Sequence, residues 1–173
     1  ASDVYKRQAM RGLRPIAEIQ YLDYLMFALQ TLSDDLATVS YRSVGKQLSP
    51  LIVRTRGHRL EGMWHAGSPM GMILNSLKGM LVLTPRNMVQ AAGMYNTLLS
   101  CSDPALIIEP LNAYRLKEKQ PTNIGEYNVS LGHVDFITTG KDITVVSYGS
   151  TLKLIERSLT ELSKHDIEIE LID

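Results

Sequence analysis

Two stretches carry the side chains best suited to chemistry, RGLRPIAEIQYLDY at 11–24 and RTRGHRLEGMWHAGSP at 54–69. Each reads as a strand running into an aromatic- or glycine-rich turn and then a helix, the place where open α/β sheets hold their ligands. The first offers Tyr21 and Tyr24, with Phe27 just beyond it, aromatic faces that either receive a flat ligand or fill the core of the following helix. The second holds His65 within Gly62-Met63-Trp64-His65-Ala66-Gly67. An imidazole titrates near neutrality, so it can move a proton or simply hydrogen-bond at a surface. Arg54, Arg56, His58 and Arg59 form a local basic cluster, suited to an acidic substrate or partner, or equally to salt bridges that hold the loop. His133 and His165 have no second ligand at metal spacing and read as structural.

These segments need a scaffold to meet. Short β-branched and aliphatic runs recur at Pro15–Ile19, Leu51–Thr55, Met80–Leu83, Ala105–Glu109, Ile143–Ser147 and Ile167–Ile172, bounded by Gly, Pro, Asp or Ser, and read as buried strands. Helical spacing fills Leu22–Tyr41, Met70–Leu77, Met88–Ser100 and Thr151–Lys164. In the last of these Leu152, Ile155, Leu159 and Leu162 share one face and Ser150 reads as the N-cap. The alternation predicts an α/β fold, a mostly parallel sheet with helices on both faces. Leu116–Glu126 is polar and turn-rich, a surface loop, and Tyr127–Thr138 reads as an edge strand or an extended crossing segment.

The length of 173 residues and 45% hydrophobic content suit one domain. Eighteen basic against eighteen acidic residues give no net field to attract nucleic acid or a membrane surface, so neither is an expected partner. The single Cys101 forms no internal disulfide, and no run is long and apolar enough for a bilayer span. Residues 1–8, ASDVYKRQ, have no apolar period and are expected to be a foreign scar outside the fold. Gly12 reads as a helix stop whose helix body lies upstream, and Ile167–Ile172 as a strand with no following turn. The expectation is a single domain over 9–173, truncated at both ends.

From about Ala9 to Asp173 the chain resembles the β subunit of 2-oxo acid dehydrogenases, the transketolase-like pyrimidine-binding domain that carries half of a thiamine diphosphate site. GLRPIAEIQYLDY, GMWHAG, Glu109-Pro110 and Tyr114-Arg115 carry the resemblance, and AEIQYLDY is more similar to branched-chain than to pyruvate members. The resemblance implies that Tyr24 packs on the aminopyrimidine ring of thiamine diphosphate, that Gln20 meets the ring edge, and that His65 reaches the substrate carboxylate or intermediate from its loop. It implies an α subunit or fused α domain that holds the diphosphate and Mg²⁺, a second β subunit, a lipoyl-bearing acyltransferase and a 2-oxo acid substrate. The corresponding reaction is oxidative decarboxylation with acyl transfer to the lipoyl group. Met63, Trp64, Met70, Met72 and Ile73 are candidates for the β–β surface or for the core. Some members hold K⁺ through backbone carbonyls near Leu51–Ile52 and Leu98–Asp103, which leaves no side-chain signature. The implied compartment is the bacterial cytoplasm or the mitochondrial matrix.

In that family a glutamate upstream of GLRP activates the cofactor. Its position falls before residue 1, and Glu18 lies within the strand, so the fragment itself is expected to be inactive. Arg54 reads as structural, and Glu109 is expected to pair with Arg115. The alternatives are a transketolase or deoxyxylulose phosphate synthase domain, or a non-catalytic dimerisation scaffold.

Overall fold

The computed structural model describes residues 2–60 and 62–173. Helix α1 (Ser2–Met10) precedes strand β1 (Ile16–Ile19), a 3₁₀ turn (Leu22–Phe27), a π-type turn (Thr31–Leu36) and the short α2 (Val39–Arg42). Then follow β2 (Ile52–Gly57), α3 (Met70–Ser76), β3 (Leu81–Leu83), α4 (Met88–Ser100), β4 (Ala105–Pro110) and a 3₁₀ turn (Leu111–Ala113). Strands β5 (Phe136–Thr138) and β6 (Ile143–Val146), helix α5 (Ser150–Ser163) and β7 (Ile169–Ile172) complete the order.

The first four strands form a parallel sheet in the order β1-β2-β4-β3. Side chains alternate across a strand, and β4 uses both directions. Leu106 and Ile108 join Ala17, Leu51 and Val53 on one face, beneath Leu22, Leu25, Leu32, Leu36 and Ile73. Ala105 and Ile107 join Ile52 on the other, beneath Met94 and Leu98 of α4. Every β4 residue is buried, as a strand covered on both faces requires. The helices on both faces are thus as expected.

The sheet does not run on as a single unit. β5, β7 and β6 form a separate three-stranded sheet, β6 parallel and β5 antiparallel to β7, with its own core of Leu152, Ile169 and Leu171 under α5. Ile155, Leu159 and Leu162 pack against that core, the face read from their spacing. Arg86 ties the two sheets, with Nη1 donating to Asp173 at 2.7 Å and Nη2 to Asp135 at 2.5 Å.

Three local expectations are corrected. Residues of the first eight positions do enter the fold: they form most of α1, Tyr5 packs on the core beside buried Ala9, and Lys6 pairs with Asp35 at 3.3 Å. The helix that Gly12 ends therefore lies largely within this chain, and Gly12 stops it at φ 93°. Leu22–Tyr41 is not one helix. Ala37 N–H donates to the Leu32 carbonyl at 2.9 Å, a five-residue spacing that widens the chain next to the polar Ser33-Asp34-Asp35 run, whose side chains compete for backbone groups. Finally, the N-cap of α5 is Gly149, at φ 56°, and Ser150 is the first helical residue, its Oγ donating to the His58 carbonyl at 3.2 Å. A Cβ at position 149 would sit 2.6 Å from the His58 ring, so close approach and left-handed backbone both call for glycine there.

The segment after Tyr127 meets both of its readings in turn. It first crosses α4, where Thr97 Oγ1 donates to the Val129 carbonyl at 2.7 Å, and then becomes the edge strand β5.

Candidate functional site

The carboxyl ends of β1 and β2 lie side by side, Ile19 in register with Thr55, and so deliver the two chemistry-bearing stretches to one place. Tyr21, Tyr24 and His65 form an aromatic cluster there. The His65 ring lies parallel to Tyr21, with centroids 3.8 Å apart and planes 12° from parallel, and meets Tyr24 edge-on at 5.4 Å. Tyr21 and Tyr24 are themselves edge-on at 6.0 Å. Arg56 closes the other side of Tyr21, its guanidinium carbon 4.4 Å from the ring centroid, and Nε donates to the Gln20 carbonyl at 2.9 Å.

The 3₁₀ turn explains the pairing of the tyrosines, because residues three apart eclipse in that geometry. Leu22 and Leu25 turn into the core, while Tyr24 keeps 41% of its surface exposed and Phe27 keeps 91%. The aromatic residues of this turn are therefore not core residues. Tyr24 and Phe27 border a cavity of about 220 Å³ whose other walls include Ala17, Ile19, Leu32 and Val53.

His65 sits on the loop before α3 at φ 54°, a left-handed conformation uncommon for a non-glycine residue and often found where function holds it. Its Nδ1 lies 4.0 Å from Asp23 Oδ2. That oxygen is buried and has no hydrogen-bond partner among the described residues. Met63 and Trp64 on the same loop are exposed, Ile73 is fully buried, and Met70 and Met72 pack on the core, so the proposed apolar surface divides between loop and interior.

The loop is anchored through His58. Its ring stacks on Tyr148 at 4.7 Å, and Nε2 lies 3.4 Å from the Tyr148 carbonyl, which can only accept. Nε2 therefore carries the proton and Nδ1 accepts from the Ser68 hydroxyl at 2.9 Å. Burial lowers the pKa of His58, with the Tyr148 carbonyl a weaker opposing influence.

Behind the aromatic cluster lies a polar network. Arg54 donates to Glu109 through Nε at 3.2 Å and Nη2 at 2.5 Å, and to Glu18 through Nη1 at 2.9 Å. Tyr95 and Tyr114 donate their hydroxyls to the same Glu109 carboxylate. Burial alone would raise the Glu109 pKa, but the donors from Arg54, Tyr114 and Tyr95 hold it below the usual carboxylate range. Burial and the Glu109 contact push the Tyr114 hydroxyl up to about 12. Arg54 has the structural place assigned to it. The expected pairing of Glu109 with Arg115 is not observed, because strand register puts Arg54 two positions from the residue opposite Glu109 and on the same face.

Of the three site residues read from the sequence, Tyr24 and His65 are brought together. Gln20 lies beside them at the end of β1 with its side chain exposed and its carbonyl taken by Arg56. Tyr21, Asp23 and Arg56 join the site without having been assigned to it. His133 and His165 are exposed and outside it. Among the described residues no group of three or more His, Cys, Asp or Glu side chains could hold a metal ion, and no helix is long and apolar enough to cross a membrane.

The parallel four-stranded sheet with helices on both faces defines an α/β domain. Residues 8–117 match the transketolase pyrimidine-binding domain, and the chain belongs to that family. It is 34% identical to the 2-oxoisovalerate dehydrogenase subunit beta, mitochondrial, of Chaetomium thermophilum, covering 95% of this chain and 36% of that protein. It is 30% identical to the 2-oxoisovalerate dehydrogenase subunit beta of Bacillus subtilis and 28% identical to the pyruvate dehydrogenase E1 component subunit beta of Acholeplasma laidlawii. Each covers 95% of this chain, which spans 50% of each relative. The chain thus spans about half or less of these relatives. A split-gene transketolase, solved as an inactive beta4 tetramer, superimposes with a TM-score of 0.77 at 14% identity over 99% of this chain and 52% of that one, a likeness of fold. The sequence relatives stand with the dehydrogenase reading of the chain rather than with the transketolase or synthase alternative.

Proposed function

We propose that this chain, over residues 9–173, is the pyrimidine-binding half of the thiamine diphosphate site in the β component of a 2-oxo acid dehydrogenase. The observation that carries the reading is the convergence of Tyr24 and His65, forty-one positions apart in sequence, on one shelf beside a cavity. A flat heterocycle needs an open aromatic face and polar groups at its edge. Tyr24 supplies the first and Gln20, at the end of β1, the second, while the unpartnered Asp23 oxygen shows that the shelf also holds unspent acceptor capacity. The residues present fit the cofactor.

Thiamine diphosphate, when bound, supplies the electron sink that decarboxylation of a 2-oxo acid requires. The chain's own residues bind and orient. Tyr24 gives dispersion contact to the ring, and Arg56 fixes the strand end by holding the Gln20 carbonyl. His65, its Nδ1 4.0 Å from Asp23, is the side chain of the shelf assigned to meet the substrate. The diphosphate and its Mg²⁺ are assigned to an α subunit or fused α domain, with a second β subunit and a lipoyl-bearing acyltransferase as further partners. Branched-chain 2-oxo acids are the preferred substrate class, and the bacterial cytoplasm or mitochondrial matrix the compartment.

The test is titration of thiamine diphosphate into the full-length protein assembled with its α partner, followed by decarboxylation assays. Saturable binding and turnover of branched-chain 2-oxo acids above pyruvate is expected. Absence of binding in that assembly contradicts the reading.

A further inference from the structure

A second cavity, about 460 Å³, opens at the carboxyl ends of β2 and β4, lined by Arg56, Arg59, Leu111, Asn112, Tyr114 and Arg115. Of the six described residues that line it, three are arginines and none is a carboxylate. Arg54, one residue pair away on β2, is neutralised by Glu18 and Glu109, yet among the described residues Arg56, Arg59 and Arg115 make no ion pair. Glu109, in register with Arg56 on the neighbouring strand, has its carboxylate taken by Arg54, Tyr95 and Tyr114, and Tyr114 also lines the cavity. Gathering three like charges in one concavity costs free energy unless something of opposite sign occupies it.

The geometry of Arg56 narrows what that is. Its Nε is committed to the Gln20 carbonyl and its guanidinium plane lies over Tyr21, so the hydrogen bonds left to it come from the two terminal nitrogens. A planar fork of terminal N–H groups suits an oxyanion, which accepts two parallel bonds where a neutral ligand accepts one. Asn112, also in the lining, adds an amide donor. The place is also where parallel sheets put ligands, at the carboxyl ends of adjacent strands.

We infer that this pocket, beside and distinct from the His65 shelf, is a receptor for a multiply charged oxyanion of the phosphate or clustered-carboxylate type. Arg56 is common to the pocket and the Tyr21–His65 stack, so an occupant sets the position of Gln20 and Tyr21. The inference stands apart from the thiamine reading: the pocket shares Arg56 with the stack but lacks Tyr24, Gln20 and His65, which carry that reading, and every residue of the cavity beside Tyr24.

The test is titration of inorganic phosphate into the full-length protein at low ionic strength, followed through arginine Nε–H resonances and calorimetry, with chloride at matched ionic strength as the control. Saturable binding is expected, weakened at least tenfold in Arg115→Gln and in Arg59→Gln, both exposed positions where folding is not at stake. The same titration on the assembly with its partner subunit separates the sources. Binding that persists identifies a free oxyanion ligand, and binding that vanishes on assembly identifies a partner carboxylate seated in the pocket. Phosphate affinity equal to that of chloride, or unchanged in both variants, overturns the inference.

Discussion

The imidazole of His65 lies 3.8 Å above the ring of Tyr21 and nearly parallel to it, while Arg56 covers the opposite face of the same ring. Three side chains, from the ends of β1 and β2 and from the loop before α3, thus form one stack. His65 holds a left-handed backbone, and the stack is one contact that supports it, beside the His58 anchor of the same loop. Tyr21→Leu should therefore release His65. The expected outcome is a fall in kcat of about 2- to 10-fold with cofactor affinity unchanged within about twofold, since aromatic pairs contribute about 0.5–1.5 kcal/mol beyond area burial. Tyr21→Phe keeps the ring and should restore most of the rate. Steady-state kinetics at saturating cofactor, beside cofactor titration, checks both.

Arg54 and Glu109 hold β2 to β4 through two hydrogen bonds beneath the site. Glu109→Ala should lower the unfolding free energy by about 2–3 kcal/mol, the lower end for a broken buried pair because Arg54 keeps about a third of its side chain in solvent. The folded pKa of Glu109 is depressed, so its contribution is complete above the unfolded carboxyl value and is lost as pH falls through the folded one. Urea unfolding from pH 7 down to pH 3 should show the wild type losing more stability than Glu109→Gln.

His58 predicts the opposite end of the acid range. Its folded pKa lies below the ordinary imidazole value because of burial, so the unfolded chain takes up the proton first. Stability from this group is present above the unfolded pKa of about 6.5 and declines as pH falls below it. Denaturation between pH 7.5 and 5.5 should show that decline, and His58→Gln should flatten it. Protonation at Nδ1 should also reverse the Ser68 hydrogen bond, the hydroxyl now accepting, while Nε2 keeps its bond to the Tyr148 carbonyl, a change read in the His58 ring and Ser68 side-chain resonances.

Helix α4 starts at Asn87, whose Oδ1 accepts from the Gln90 N–H at 2.7 Å. Asn87→Ala should cost about 1 kcal/mol, read as a lower denaturant midpoint with an unchanged m-value.

Much of this was legible in the sequence where pattern and burial agree. β4 is apolar along nearly its whole length because both faces are covered, and Leu152, Ile155, Leu159 and Leu162 announced the α5 core. What failed was long-range or irregular. The Leu22–Tyr41 segment carries helical spacing, yet its three-residue Leu22–Leu25 step and its Ser33-Asp34-Asp35 run favour 3₁₀ and π turns. The same three-residue step was the available signal for Tyr21, which follows Tyr24 to one side of the chain. Glu109 and Arg115 are near in sequence, but strand register, invisible in one sequence, gives Glu109 to Arg54. The division into two sheets depends on which edges pair, and no local residue states it.

The most direct test of the cofactor reading is a pair of substitutions in the full-length assembled protein, read by thiamine diphosphate affinity and by kcat. Tyr24→Ala should weaken cofactor binding about 2- to 10-fold, the loss expected for one aromatic contact. His65→Ala should lower kcat by about 10²-fold or more while affinity stays within about twofold. Affinity and turnover unchanged in both variants would contradict the assignment of this shelf to the cofactor and its substrate.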